Sequence, residues 1–127
     1  MAVSDGVQLV SGKRAVREWR VRVNGCTYVG LGLVPRGLVE MQKEFHRAPH
    51  SYVYYWNGAA WKNGAEDAES TAGFKQGDVV SLRLDVDDAR LCVRRNGEVI
   101  KVVNNVAHAE TLRLGVILRS WSSVKLI

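Results

Sequence analysis

Cysteine and proline are scarce in this chain, with two of each in 127 residues. Cys26 and Cys92 lie far apart and form no C-x-x-C pair, so nothing suggests the disulfide framework of a small secreted protein. Both stand in strand-like runs and read as small buried hydrophobes. The few prolines leave no Pro-rich linker, and no Ser-rich, repeated or low-complexity stretch takes its place. No apolar run approaches the length needed to span a bilayer. The start, Met1-Ala2-Val3-Ser4-Asp5-Gly6, lacks the basic head and apolar core of a secretory signal. The expectation is an intracellular protein, cytoplasmic or nuclear, with no membrane partner.

Motifs for catalysis and metal binding are equally sparse. His46 and His50 are four apart, a zinc spacing on a helix, but Pro49 breaks the turn between them. Surface loop histidines are the better reading. Asp85, Asp87 and Asp88 look like the opening of a calcium loop, yet the mid-loop Gly and closing Glu are missing, and a hairpin turn accounts for them. Gly12-Lys13 has neither the upstream glycine nor the following Ser/Thr of a phosphate loop. Glu66, Asp67 and Glu69 form an acidic patch in an expected loop with no histidine partner, which reads as solvated surface. With no convergent polar set, the expectation is a chain that is no enzyme and holds no cofactor or metal.

The composition is that of one soluble domain. Hydrophobic residues make up 46% and charged residues 24%, ordinary for a globular protein, and a chain of 14.1 kDa buries roughly two-thirds of its unfolded surface. The net charge of +5 and a pI near 9.5 speak first to solubility and field. They allow an acidic peptide or a phosphate-bearing partner without requiring one.

What is abundant is turns and alternation. Four Asn-Gly pairs, at Asn24, Asn57, Asn63 and Asn96, favour reversals that match the twist of a hairpin. Between turns, Trp19, Val21 and Val23 share one face and Arg20 and Arg22 the other. Tyr28 to Val34 is a Gly-interleaved strand in which Gly30 and Gly32 allow close backbone approach. Tyr52 to Trp56 with Trp61-Lys62, then Val79 to Val86, Ala89 to Arg95 and Val99 to Val103, continue the pattern. Leu112 to Leu118 and Val124 to Ile127 close it. Leu38 to His46 is the one candidate helix. Half-apolar strands without alternating helices mean two packed antiparallel sheets or a barrel, and an all-β two-layer sandwich is the first choice.

The order of these signals resembles a SPRY domain. Ser11-Gly12-Lys13 leads to Trp19-Arg-Val-Arg-Val23, then Val29-Gly30-Leu31-Gly32 and Ser51-Tyr52-Val-Tyr54. Gly77-Asp78, Leu84-Asp85-Val86-Asp87, Asn96-Gly97-Glu98 and Leu112-Arg-Leu-Gly-Val116 follow in sequence. The match spans nearly the whole chain. It departs at Tyr52 and Tyr54, where tryptophans are common, at Arg94-Arg95, and in a short segment before Ser11. The resemblance implies a concanavalin-like sandwich spanning 1–127, one module of a larger protein, monomeric, binding a protein or peptide partner and acting as scaffold or adaptor.

It also implies that contacts come from loops at one end, here residues 36–50 and 119–123. Trp121 sits in the polar interruption Arg119-Ser120-Trp121-Ser122-Ser123, where a large aromatic serves either as partner anchor or as cover for the core edge. The expected partner-binding residues are Trp121 and Phe45 as apolar anchors, with Arg36, Arg47 and Arg119 pairing acidic or carbonyl groups. Two rivals stand beside this reading. Arg14, Arg17, Arg20 and Arg22, with Arg90, Arg94 and Arg95, suit a nucleic-acid backbone but lack interleaved aromatics. Exposed aromatics on a sandwich suit a lectin-like carbohydrate site.

Overall fold

The computed structural model describes residues 2–4, 7–11, 14–35, 49–67, 72–119 and 121–127, and side chains from Val16 onward. Twelve strands occur among them: β1 (Ala2–Ser4), β2 (Val7–Ser11), β3 (Arg14–Gly25), β4 (Tyr28–Pro35), β5 (Tyr52–Tyr55), β6 (Ala60–Lys62), β7 (Ala65–Glu66), β8 (Val79–Asp85), β9 (Arg90–Arg95), β10 (Glu98–Val103), β11 (Leu112–Arg119) and β12 (Ser123–Leu126). The first sheet runs β1-β11-β4-β5-β6-β7 and the second β10-β9-β8-β3-β12, all pairings antiparallel. Strand β3 is long enough to take β2 along its first half and β12 along its second, both on the edge opposite β8. The expected all-β sandwich is the observed architecture. The helical content of the described residues is a single 3-10 turn at Ala109–Thr111, and the candidate helix Leu38 to His46 falls outside the described residues.

Period-two alternation places the core. Trp19, Val21 and Val23 on β3, Val80, Leu82 and Leu84 on β8, and Leu91 and Val93 on β9 face Val29, Leu31 and Leu33 on β4 and Leu112, Leu114 and Val116 on β11 in one buried cluster. Each such side chain contributes about 1.5–3 kcal/mol on leaving water. Arg20 and Arg22 point outward and are exposed. Arg17, by contrast, shares the inward face with Trp19. Its guanidinium lies 4.9 Å from the Trp19 ring centre and donates to the Leu112 carbonyl, so it ties the sheets together and leaves the surface group of arginines. A Lys101–Asp67 ion pair at 2.9 Å makes a second tie.

Two of the motifs that carry the resemblance meet in space. Asp78 accepts from the Lys75 backbone N–H at 2.9 Å and from Asn96 Nδ2 at 3.0 Å, while Asn96 Oδ1 accepts from the Val79 N–H at 2.8 Å. Gly-Asp and Asn-Gly-Glu thus form one lock between the approach to β8 and the β9–β10 turn. Burial would raise the Asp78 carboxyl, but the Asn96 and Lys75 hydrogen bonds, with the charges of Arg95 and Lys75, outweigh it and hold it below the usual carboxylate range.

Several expectations need correction. Asn63-Gly64 and Asn96-Gly97 reverse the chain with positive φ at both residues, but Asn24-Gly25 continues β3, and the reversal falls at Cys26-Thr27. Gly25 pairs with Ser123 in the strand, and the neighbouring turn leaves no room for a side chain there: a Cβ would lie 2.7 Å from the Trp121 carbonyl oxygen. Both cysteines are unpaired and half-buried, not core. Cys92 stands on the outer face beside Arg83. Cys26 packs at the core edge, and burial followed by the Asp78 charge raises its thiol. Glu66 lies in strand β7, and Asp67 is the partner of Lys101, so these two do not form a loose acidic loop.

Candidate functional site

The turn from β11 to β12 carries Trp121, and four neighbours hold it. Trp121 has φ 55, in the left-handed region, which costs a bulky residue about 1–3 kcal/mol and persists only where its surroundings impose it. Ser122 imposes it. Its Oγ accepts the backbone N–H groups of Thr27 at 3.1 Å and Tyr28 at 2.8 Å. Thr27 Oγ1 donates to the Arg119 carbonyl at 3.2 Å and lies 3.1 Å from Ser122 Oγ. The β3–β4 and β11–β12 turns are therefore bolted together, and the indole stands 93% exposed on the joint.

An aromatic group lies beside this rim. Strand register sets Arg119 opposite Tyr28, and the guanidinium sits 4.7 Å from the Tyr28 ring centre. Tyr28 in turn packs against Trp56 at 4.6 Å and edge-on to Tyr55 at 5.6 Å. Tyr55 itself lies over Gly30, where an added Cβ would come within 2.9 Å of its ring. The glycine in the strand is what lets the tyrosine ring approach so closely and carry Tyr28 and Trp56. The arrangement offers a half-buried cluster of mutually tilted rings, a cation stacked on one of them and a projecting indole. It holds no acid–base pair.

Of the five residues expected to bind a partner, Arg119 and Trp121 fall together on this rim. Arg36, Phe45 and Arg47 lie outside the described residues. Of the two readings open for Trp121, the core-edge cover is excluded by its exposure. Sequence reasoning missed Thr27, Tyr28 and Ser122. Tyr28 was accessible in principle, because pairing the Gly-rich strand with Leu112 to Leu118 puts it opposite Arg119.

Of the remaining chemical candidates, Gly12, Lys13, His46 and Glu69 lie outside the described residues, and the others have structural partners. His50 packs edge-on against His108, ring centres 4.8 Å apart, and no group of three metal-binding side chains occurs among the described residues. Asp85 accepts the Asp88 N–H at 3.1 Å and so caps its own hairpin. Arg95 donates to the Gly73 carbonyl at 2.8 Å, and Arg90 to Asn104 at 3.3 Å. No helix among the described residues is long and apolar enough to cross a membrane.

No protein-family model and no curated protein matches the chain. Solved structures do. The SPRY domain of human HERC1 superposes with a TM-score of 0.74 at 20% identity, covering 98% of this chain and 79% of that one. A human SPRY domain gives 0.73 at 15% identity, with 99% and 96% covered. The PSpry domain of TRIM65 gives 0.67 at 17% identity, with 95% and 67% covered. At these identities the likeness concerns architecture. The chain has the fold of SPRY domains.

Proposed function

We propose that this SPRY-fold chain is a non-catalytic interaction module that binds a short extended segment of a protein partner at the Trp121 rim. The observation that carries the proposal is the exposure of Trp121 on a turn that Ser122 and Thr27 hold in place. A large apolar group left in water on a rigid support loses little freedom when covered, which is the character of an interface hot spot. Arg119, already stacked on Tyr28, offers a preoriented donor to a carboxylate or carbonyl of the ligand. Arg36, Phe45 and Arg47, in the segment 36–50, are proposed to complete the contact. The module would work as an adaptor inside a larger intracellular protein, and its affinity would be modest because the face is small.

Panning a peptide-display library on the wild-type chain, with Trp121→Ala as counter-target, tests this. Clones enriched on the wild type should lose the variant by tenfold or more, as truncating a hot-spot aromatic costs about 2 kcal/mol or more. Equal retention of those clones on both proteins would refute the proposal. So would hits whose binding collapses with salt but ignores the indole, since phosphate-type contacts alone behave that way.

A further inference from the structure

The outer face of the second sheet carries an excess of positive charge that no edge-guarding role accounts for. Arg20 and Arg22 on β3 and Arg94 on β9 belong to interior strands, paired on both sides, whereas charges that keep sheets from joining sit on edges. Register puts Arg22 beside Lys125 and Val79, and Arg20 in one row with Ser81, Arg94 and Val99. At the other end of the face Glu18 stands opposite Arg83 and Asp85 opposite Arg90. The charges there offset one another. No carboxylate stands opposite Arg20, Arg22, Arg94 or Lys125 among the described residues.

The same end is concave and partly apolar. Arg20, Arg94, Val79, Ser81 and Val99 line a shallow depression in which Glu18 is the one carboxylate among the described residues. A second depression adjoins it across Arg94; it reaches Val102 and runs on to Arg83, Asp85 and Arg90 of the charge-balanced end. Val99 and Val102 are 47% and 46% exposed. Neither depression is lined by an aromatic ring, so bases would find nothing to stack on.

We infer that this face is a second docking surface, distinct from the Trp121 rim, for an extended acidic polypeptide segment that presents carboxylates and aliphatic side chains on the same face. Side chains on one face of an extended chain repeat every ~7 Å, the spacing at which Arg20 and Arg22 follow one another along β3. Carboxylates at that repeat meet the arginines, and aliphatic side chains at other positions of the same face meet Val79, Val99 and Val102. Field complementarity steers the encounter, and the valines discriminate a polypeptide from a bare polyanion.

The test is fluorescence anisotropy of a labelled Glu-Val peptide, a repeat of Glu-Ser-Glu-Ser-Val-Ser whose one face reads Glu, Glu, Val, titrated with the whole 127-residue chain. A Lys-Val peptide of equal length and a single-stranded and a duplex oligonucleotide of equal charge serve as comparisons. Saturable binding of the Glu-Val peptide is expected, lost by about tenfold or more in the Arg20→Glu/Arg22→Glu double variant and unchanged within about twofold in Trp121→Ala. Arg94→Glu, on a different strand, should reproduce the loss, with melting curves confirming that each variant folds. Three results would each overturn the inference: no saturable binding, binding indifferent to both charge reversals, or tighter binding of either oligonucleotide than of the peptide. Dependence on Trp121 alone would assign the peptide to the rim instead, and the second surface would be abandoned.

Discussion

Ser122 Oγ accepts the Tyr28 backbone N–H at 2.8 Å, and this one hydroxyl couples the turn that displays Trp121 to the strand that supports Arg119. Removing it in Ser122→Ala strands two amide donors near the surface, at a cost of about 1–2 kcal/mol. A melting temperature lower by a few degrees is expected, with faster hydrogen exchange at the Thr27 and Tyr28 amides. Ligand affinity should fall by less than in Trp121→Ala, because the indole remains while its support loosens.

Asp78 makes the fold sensitive to acid. Its carboxyl is held below the usual range, so its contribution to stability is complete above the unfolded-state value near ~3.9. That contribution is lost as pH falls through the lower folded-state value. Asp78→Asn should destabilise the chain at neutral pH and flatten the acid limb of a plot of melting temperature against pH. Asp78→Ala, which also strands the Lys75 amide and the Asn96 side chain, should cost about 2–3 kcal/mol. An acid limb of unchanged slope in Asp78→Asn would show that other carboxylates govern it.

Gly30→Ala tests the link from strand to rim. The new methyl would lie 2.9 Å from the Tyr55 ring and 3.3 Å from Ile117 Cβ, an overpacking worth about 1–3 kcal/mol. Because Tyr55 touches both Tyr28 and Trp56, its displacement should alter the near-ultraviolet circular dichroism as well as the melting temperature. Loss of stability with an unaltered aromatic spectrum would mean that the strain is absorbed elsewhere.

Much of the fold is legible in alternation alone. Trp19, Val21 and Val23 declare their inward face, and the Gly-Asp and Asn-Gly-Glu motifs mark turns that the structure locks together through Asp78 and Asn96. Three things were not legible. Strand β1 is short and its pairing with β11 is long-range, so no local signal announces it. Arg17 looks like its surface neighbours until the partner sheet supplies the Leu112 carbonyl. The bolt through Thr27 and Ser122 joins residues 95 apart in the chain, and hydroxyl pairings of that kind leave no periodic trace. Trp121 was half legible: an indole within a polar run marked the position but left anchor and core-edge cover both open, and the structure leaves it in water.

The most direct measurement is a pull-down from cell extract that compares the wild-type chain with Trp121→Ala, quantified by mass spectrometry beside matched melting curves. With the side chain 93% exposed, the account predicts equal melting temperatures and retained proteins depleted at least tenfold on the variant, the scale of a hot-spot loss. An unchanged set of retained proteins on a variant of unchanged stability would contradict it.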